Sequence, residues 1–443
     1  MSQISDLLLQ GPRSARDLCQ HLAISQPTFS RLVAREEKVI QFGKARAVRY
    51  ALVRPVRGIA KVPLWRVDEA GQAHKFADIY PCWPQGSCMV VTAQGEEAWF
   101  DGLPWYLTDL RPQGFLGRAW GRSLAAQLDL PEDIRLWQED EILYALTMFN
   151  GEYTGGWLVG ESNYQRWITS NAPRTITREE KLTAYEQLAD NALAGEIVGS
   201  SAGGEQPKFT CYAQTSCGEA HVLVKFSVPQ ESALARRWGD LLIAESVALA
   251  ILRDAGISAC TARTSISPAG QVFLESERFD CIDIYGRRPV VSLEAVQSEF
   301  ISPASIWPDA MRRLAKQGKV APESVLIAEK IWAFGRLITN SDMHAGNLSF
   351  YFSAPPLVMA PVYDMLPMAF APNSAGMMRD APVDIKFDAT VSREAWQFAL
   401  PLAQTFWQTV AADEQVSVAF RAIAAQMPDK LRLISETIAR MAT

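Results

Sequence analysis

The chain has 443 residues, which is too long for one compact core and predicts two or three domains. Hydrophobic residues make up 48% and charged residues 21%, values that exclude a wholly disordered chain. No apolar run approaches the roughly 18 residues of a membrane span, and no signal peptide is visible, so we expect a cytoplasmic protein without a membrane partner. The seven scattered cysteines lack a CxxC pair, which indicates reduced thiols rather than disulfides or a zinc site.

The net charge of -6 is unevenly distributed along the chain. Residues 1–61 contain 11 Lys or Arg and 4 Asp or Glu, a formal charge of +7, whereas the remainder carries -13. Basic modules often approach phosphate backbones, because each Lys or Arg that neutralises a phosphate releases a condensed counterion. We therefore expect a small basic module, with DNA as its partner, joined to a large acidic body.

The N-terminal module (residues 1–61) is predicted to contain three short helices, over residues 4–9, 14–22 and 25–36, and then two strands around a basic turn. This order resembles a winged helix-turn-helix. The residues then expected to contact DNA are Gln26, Thr28, Ser30 and Arg31 of the third helix, and Lys44, Arg46 and Arg49 of the wing. The alternative is that the module docks on the body or binds a protein.

Residues 62–188 hold eight of the 13 tryptophans but no pattern that indicates chemistry. An aromatic-rich stretch is more often a hydrophobic core than a ligand platform. We therefore expect a structural subdomain between the N-terminal module and the residues that carry the chemistry.

Two segments further along the chain indicate phosphate binding. The glycine-rich stretch 199–208 ends in Lys208, and such a loop lets backbone N–H groups approach phosphate oxygens, although it matches neither GxxxxGK[ST] nor GxGxxG. Lys225 ends an apolar strand about one hairpin later, and Glu245 in a helical pattern is the candidate carboxylate to orient it. The alternative is a connecting turn, a surface lysine and a solvated glutamate.

The strongest pattern is the D-x-H-x-x-N spacing of Asp342, His344 and Asn347, which precedes a predicted hairpin ending at Asp364. Because a hairpin brings its two ends together, Asp342 and Asn347 would lie beside Asp364. A kinase needs one Asp to accept the proton of the attacking hydroxyl, and an Asn and a second Asp to hold Mg²⁺. A loop Asp or Asn ordinarily forms a turn, but this combination is hard to explain by turn chemistry alone.

These segments together resemble the HipA family of serine/threonine kinases, the toxin halves of bacterial toxin–antitoxin pairs. The resemblance runs from about Gly199 to Asp364. It implies an α+β fold, namely an atypical, HipA-like two-lobed protein kinase preceded by the winged helix-turn-helix. The implied domains are the N-terminal module (1–61), a HipA-like N-terminal subdomain of mixed α/β structure (62–188) and a kinase core with a helical C-terminal lobe (189–443).

The family's roles carry over to this sequence by motif. Asp342 resembles the proton acceptor, and Asn347 and Asp364 resemble the metal ligands. Glu277 and Phe279 stand in an E-R-F-D motif, whose backbone is implied to contact adenine. The full set implied to bind ATP is Ala202, Gly203, Gly204, Lys208, Lys225, Glu277, Phe279, His344, Asn347, Tyr363 and Asp364.

Two positions depart from the family pattern. The loop 202–208 carries an apparent insertion and a proline relative to S-x-A-G-A-Q-x-K, so its register is open. Gly346 stands where many relatives carry Lys, which would lower the stabilisation of transition-state charge. Since HipA phosphorylates a serine in this loop, Ser200 or Ser201 is implied to be an autophosphorylation site.

The function implied is an ATP- and Mg²⁺-dependent kinase toxin that phosphorylates Ser or Thr in a cytoplasmic protein, with an antitoxin protein as a further partner. A fused module has a high effective concentration at the kinase, so it could direct the kinase to DNA or restrain it. The alternative is a DNA-binding transcriptional regulator whose kinase-like body senses nucleotide or binds a partner without catalysis. A third interpretation is a small-molecule kinase.

Overall fold

The N-terminal module begins with three short helices and ends in a small sheet. The computed structural model describes residues 2–149, 154–195, 206–229, 232–373 and 375–441 of the chain. The elements of the module are α1 (Gln3–Leu8), β1 (Arg13–Ser14), α2 (Ala15–Leu22), α3 (Gln26–Val33), β2 (Val39–Phe42) and β3 (Arg49–Leu52). The strands pair antiparallel in the order β1-β3-β2. The three predicted helices and two predicted strands are present, although α3 ends at Val33 rather than at residue 36.

Serine caps and a small apolar core explain where these helices form. Ser14 Oγ accepts a hydrogen bond from the backbone N–H of Asp17 at 3.1 Å, and Ser25 Oγ accepts one from Thr28 at 3.4 Å. These bonds satisfy backbone donors that the first helical turn leaves without partners. Phe29 is fully buried in the core of the module, so α3 turns its polar side toward solvent.

The middle region forms an antiparallel sheet packed against helices. Its elements are β4 (Val62–Val67), β5 (Ala73–Pro81), β6 (Cys88–Thr92), β7 (Glu97–Phe100), α4 (Gly114–Leu128), α5 (Glu139–Met148), β8 (Trp157–Val159) and α6 (Glu161–Thr169). The strand order is β7-β6-β5-β4-β8, so β8 joins the sheet after two intervening helices. Trp120 and Trp157 are buried in the main hydrophobic core, as expected for this tryptophan-rich stretch.

The N-terminal module is docked on the sheet of the middle region. The ring of Phe42 at the end of β2 stacks on Trp99 of β7, with centroids 5.8 Å apart. Next to it, the backbone N–H of Gly43 donates to Glu97 Oε2 at 2.6 Å. The module is therefore held in one orientation by apolar and polar contacts, rather than attached only through the chain.

A second five-stranded sheet carries the predicted lysine segments. Its elements and the adjoining helices are β9 (Thr175–Ile176), α7 (Lys181–Leu193), β10 (Lys208–Gln214), β11 (Glu219–Phe226), α8 (Ala233–Asp254), β12 (Ala262–Ile266) and β13 (Val272–Glu277). The strand order is β12-β13-β11-β10-β9. In the β10–β11 hairpin Lys208 lies opposite Lys225, and α8 packs against β12 and β13.

The remaining part of the chain is mostly helical and contains the predicted hairpin. Its elements are β14 (Cys281–Ile282), β15 (Gly286–Arg287), β16 (Val290–Ser292), α9 (Leu293–Phe300), α10 (Trp307–Lys316), α11 (Glu323–Leu337), β17 (Ser349–Tyr351), β18 (Val358–Met359), α12 (Arg393–Ala412), α13 (Val418–Ala424) and α14 (Met427–Ala439). In the predicted hairpin β17 pairs with β18, and Phe350 lies opposite Met359. The loop before it follows α11.

Membrane-spanning helices and disulfide bonds are two features that the sequence argues against. No helix among the described residues is both long enough and apolar enough to cross a membrane. All seven cysteines lie in the described ranges, and each has a free thiol. Burial raises the pKa of the Cys82 thiol to about 12, which favours the unreactive protonated form.

Candidate active site

A cavity of roughly 620 Å³ lies between the second sheet and the helical part of the chain. A volume of this size is typical of sites for small organic ligands. The side chains predicted to bind or orient a nucleotide that line this cavity are Lys208, Lys225, Glu245, Glu277, Phe279, Asp342, His344, Asn347, Tyr363 and Asp364. The structure therefore brings segments separated by more than a hundred residues onto one cavity wall.

Lys225 is a buried cation held by two carboxylates. Its Nζ donates to both oxygens of Glu245, at 2.7 and 2.8 Å, and also contacts Asp364 Oδ1. Burial alone would lower the pKa of Lys225, but the charges of Asp364 and Glu245 outweigh this effect and raise it. Because Lys225 and Glu245 are only 5% and 1% exposed, the alternative of a surface lysine and a solvated glutamate does not fit.

Side-chain amides fix the backbone of the D-x-H-x-x-N loop. The amide nitrogen of Asn347 donates to the carbonyl oxygen of Asp342 at 2.9 Å, which leaves Asn347 Oδ1 as the oxygen able to bind a cation. The carboxamide of Asn340 accepts from the backbone N–H of Asp342 at 3.0 Å and donates to the carbonyl oxygen of Asp364 at 3.1 Å. As predicted, the hairpin places the Asp342 loop beside Asp364.

The surroundings of Asp342 shift its pKa upward. Burial of part of its surface raises its pKa, and the nearby negative charge of Asp364 acts in the same direction. His344 opposes the shift by lowering the pKa of Asp342. The Nδ1 atom of His344 accepts a hydrogen bond from the backbone N–H of Gly346 at 3.0 Å, so His344 also shapes the loop.

The segment that ends in Asp364 is tied to the same loop. The hydroxyl of Tyr363 donates to the carbonyl oxygen of Gly346 at 2.7 Å, and its ring stacks on Phe279 with centroids 5.8 Å apart. Burial alone would raise the pKa of Asp364, but the positive charges of Lys225 and Lys208 outweigh it and lower that pKa. Asp364 therefore stays ionised, which is the form able to bind a cation.

The E-R-F-D motif forms the edge of the cavity after β13. The backbone N–H of Glu277 donates to the carbonyl oxygen of Thr261 at 2.9 Å, so an adenine contact at Glu277 would use its carbonyl group. Asp280 is buried in an ion pair with Arg278 at 2.7 Å. The carboxylate also accepts from the backbone N–H of Gly155 at 2.9 Å, which joins this motif to the middle region.

The donor set of the cavity fits a hard divalent cation that is bound together with phosphates. Asn347 and Asp364 offer oxygen atoms, the ligands that Mg²⁺ prefers. Among the described residues, no group of three or more His, Cys, Asp or Glu side chains could hold a metal ion by itself. In the usual Mg²⁺ site of phosphoryl-transfer enzymes, one or two carboxylates share the ion with substrate phosphates.

Comparisons with known proteins place these residues in a family. The middle domain of YjjJ-like toxins matches residues 59–168, and the HipA-like C-terminal domain matches residues 200–434. Toxin YjjJ of Escherichia coli (strain K12) is 69% identical over 441 residues, which cover 100% of both chains. The chain belongs to the family of YjjJ-like toxins. The predicted resemblance to the HipA family is thereby confirmed.

A solved structure supports the HipA-type kinase fold. The HipA toxin of Shewanella oneidensis MR-1, solved as a complex with HipB and its operator DNA, superimposes with a TM-score of 0.54 at 14% identity. The match covers 86% of this chain and 100% of that chain. The proinflammatory kinase CtkA of Helicobacter pylori is less similar, with a TM-score of 0.39, 11% identity and coverage of 54% and 94% of the two chains.

Some predicted site residues of this YjjJ-like chain lie outside the described residues. These are Ser200, Ser201, Ala202, Gly203 and Gly204 of the glycine-rich loop, and the side chain of Arg46. Lys208, at the described end of the loop, is 2% exposed on the cavity wall. Of the predicted DNA contacts, Gln26, Ser30, Arg31, Lys44 and Arg49 are exposed, whereas Thr28 is half-buried.

Sequence reasoning missed two residues that organise the cavity of this HipA-like fold. Asn340 stands two residues before Asp342, a spacing typical of Asx turns, and that signal could have identified it. Asp109 of the middle region accepts from both the backbone N–H and the hydroxyl of Ser292, each at 2.6 Å, at the start of α9. Because 183 positions separate these two residues, no local pattern could have indicated the contact.

Proposed function

We propose that this protein is an ATP-dependent serine/threonine protein kinase that acts as a toxin by phosphorylating a cytoplasmic protein. The observation that supports this most is the convergence of Lys225, Asp342, Asn347 and Asp364 on one cavity, with the loop backbone fixed by side-chain hydrogen bonds. Membership of the YjjJ-like toxins supports the toxin part of the proposal. The HipA-like C-terminal domain supports the kinase part.

In the proposed mechanism each residue has one task. Lys225, oriented by Glu245, binds the phosphates of ATP, and the oxygens of Asn347 and Asp364 would hold Mg²⁺. Bound Mg²⁺ would neutralise negative charge on the phosphates. Asp342 orients the acceptor hydroxyl and takes its proton while the hydroxyl oxygen bonds to the γ-phosphorus. The bond from that phosphorus to the β–γ bridging oxygen breaks, and ADP leaves.

The direct test is incubation of the purified full-length protein with Mg²⁺ and γ-labelled ATP. We expect autophosphorylation or transfer to a cell-extract protein, and we expect Asp342→Asn to abolish it. The matched control is Asp429→Asn, since Asp429 is exposed on α14. Phosphoproteomics of cells that express wild type or Asp342→Asn would then identify the acceptor. A folded wild-type protein without phosphotransfer, or a fully active Asp342→Asn variant, would contradict the proposal.

The predicted autophosphorylation of Ser200 or Ser201 belongs to the same proposal. Mass spectrometry of the protein after incubation with ATP is expected to find phosphate on one of these serines. The Ser200→Ala/Ser201→Ala double variant should lose that modification. Phosphate only at other positions would contradict this part of the proposal and leave the kinase activity intact.

A second activity, DNA binding by the N-terminal module, is supported by the surface of α3. Gln26, Ser30 and Arg31 are exposed on this helix, while Phe29 points into the module's core. The order of three helices followed by two strands resembles that of a winged helix-turn-helix. We expect the protein to shift the DNA upstream of its own gene in a gel, in a salt-dependent manner, and we expect Arg31→Ala to weaken this binding. Binding that is equal for all DNA sequences and unaffected by Arg31→Ala would contradict it.

The regulator alternative differs from the kinase proposal in one outcome. A regulator without catalysis would retain its biological effect and its DNA shift after Asp364→Ala. A kinase toxin would lose its effect on growth after the same substitution. An antitoxin partner is a further part of the proposal, and co-expression of candidate neighbours that relieves growth arrest would test it.

A further inference from the structure

Asn340 is a buried amide at the junction of α11 and the D-x-H-x-x-N loop. It is 2% exposed, and its own backbone N–H donates to the carbonyl oxygen of Gly335 at 2.7 Å. The preceding residue, Thr339, has a φ of 60°, in the left-handed region that β-branched residues rarely adopt. The chain turns sharply here, and Asn340 becomes part of the interior rather than part of the cavity wall.

Both polar atoms of the Asn340 side chain are used by the backbone of predicted site residues. Its Oδ1 accepts from the N–H of Asp342 at 3.0 Å, and its Nδ2 donates to the carbonyl oxygen of Asp364 at 3.1 Å. Asp342 and Asp364 are 22 positions apart in the chain, on either side of the β17–β18 hairpin. One carboxamide therefore spans the entrance and the exit of that hairpin.

The other hydrogen bonds of this region do not perform this task. Asn347 Nδ2 bonds to the carbonyl of Asp342 within the same loop. The Tyr363 hydroxyl reaches the later residue Gly346. Among these described bonds, only those of the Asn340 side chain join the backbone of Asp342, the predicted proton acceptor, to the backbone of Asp364, a predicted metal ligand.

We propose that Asn340 is a positioning residue that fixes the distance between Asp342 and Asp364. The inference rests on the proposed kinase function and adds a residue whose carboxamide does not itself contact substrate. If Asn340 is lost, the backbone N–H of Asp342 and the carbonyl of Asp364 lose their shared partner. The two carboxylates can then move relative to each other, and catalysis that depends on positioning is sensitive to displacements of about 1 Å.

Two substitutions separate the two halves of this bridge. Asn340→Ala removes both hydrogen bonds. Asn340→Asp is nearly isosteric and keeps the acceptor for Asp342, but it places a carboxylate oxygen against the carbonyl of Asp364, where a donor is needed. We expect both variants to lower kcat for autophosphorylation by roughly tenfold to a hundredfold, as for groups that orient metal ligands. The KM for ATP should change little, and Asn340→Asp should also need more Mg²⁺ for half-maximal activity.

The matched control is Asn163, a buried amide of α6. It is 4% exposed, and its Nδ2 donates to three carbonyl oxygens, including that of Val159 at 2.6 Å. Asn163→Ala should lower the melting temperature, while the folded protein keeps the kcat and Mg²⁺ dependence of wild type. A role in stability alone would make the Asn340 variants behave in this way too.

The outcomes separate the inference from the proposed function. If wild type is active and a folded Asn340→Asp retains its kcat and its Mg²⁺ dependence, the positioning role is wrong and the kinase proposal stands. If wild type transfers no phosphate, the kinase proposal fails and the inference falls with it. Should Asn340→Ala fail to fold, the near-isosteric Asn340→Asp variant decides the question.

Discussion

The carboxylate of Asp342 must be ionised to take a proton, so its pKa sets the acidic limit of the proposed reaction. Partial burial raises that pKa above its ordinary value of 3.8. The base form exists above the raised pKa and is lost as the pH falls through it, so activity should decline at a higher pH than for an unperturbed aspartate. We expect an acidic limb in the pH profile of kcat/KM for ATP, which reports the pKa values of the free enzyme. A rate that stays constant in folded protein down to pH 3.8 would contradict this assignment.

The buried Lys225 should matter for stability as well as for activity. Replacing it by methionine leaves Glu245 and Asp364 without their counter-charge, and breaking a buried ion pair costs about 3–5 kcal/mol of unfolding free energy. The loss should be largest at neutral pH and smaller in acid, because protonation neutralises the two carboxylates. Urea unfolding of Lys225→Met at several pH values would measure this. Recovery of part of the stability in Lys225→Met/Glu245→Leu is expected, because Glu245 no longer carries an unpaired charge. If nothing is recovered, the loss comes from packing and not from charge.

At the residue scale, the spacing of Asp342, Asn347 and Asp364 was enough to predict that these side chains line one cavity. A hairpin brings its two ends together whatever its twist, so the positions of those ends in the sequence were sufficient to predict that the residues there lie close together. The role of Asn340 was not predictable in the same way, because its two bonds depend on the left-handed turn at Thr339. The interaction of Lys225 with Asp364 was not predictable from spacing either, because it requires the second sheet to pack against the helical part of the chain.

At the scale of elements, α8 organises three parts of the chain through buried charged side chains. Glu245 holds Lys225, and Asp240 accepts from the backbone N–H and hydroxyl of Ser417, each at 2.7 Å, at the start of α13. Arg237 reaches the segment that follows Asp364. The sequence pattern identified only Glu245, because nothing local distinguishes a buried charge from a solvated one on a long helix.

Arg237 should be needed to hold the segment that follows Asp364 in place. Its guanidinium donates to the carbonyl oxygens of Phe370 at 3.1 Å and Arg379 at 2.9 Å, and the residue is 3% exposed. Loss of hydrogen bonds to a charged group costs about 1.5–3 kcal/mol each, so Arg237→Ala should lower both stability and phosphotransfer. Thermal unfolding and an autophosphorylation assay would measure the two effects. The adjacent Arg236→Ala is the control, since Arg236 is exposed, and equal behaviour of the two variants would contradict this role.

The middle region shows why some elements could not be predicted. A half-buried strand is recognised by strict alternation of buried and exposed residues. In β4 the buried residues do not alternate strictly, and its pairing with β5 shifts register between Leu64 and Trp65. Its other neighbour, β8, comes from about ninety residues later in the chain. Where pairing is this distant, the sequence shows an apolar stretch without showing its partner.

At the scale of the whole molecule, the N-terminal module and the middle region form one interface. Besides the stacking of Phe42 on Trp99, Arg54 donates to Asp140 Oδ1 at 2.6 Å, and both of these side chains are largely buried. This arrangement favours the expectation that the module docks on the body, and it is compatible with DNA binding because α3 faces solvent. Under the proposed DNA binding, the docked module would bring the middle region to DNA together with it.

Disruption of that interface should release the module without unfolding the body. Because Phe42 is only 9% exposed, Phe42→Ala should remove much of the apolar contact, and large-to-small substitutions of buried Phe cost about 3–5 kcal/mol. We expect faster protease cleavage between residues 54 and 61, while the main unfolding transition and autophosphorylation remain close to wild type. Leu32→Ala is the control, since Leu32 is exposed on α3. If Phe42→Ala is cleaved no faster than Leu32→Ala, the stacking on Trp99 does not hold the module, and its orientation depends on the other contacts, such as the Arg54–Asp140 pair and the backbone hydrogen bond from Trp83 to Leu52.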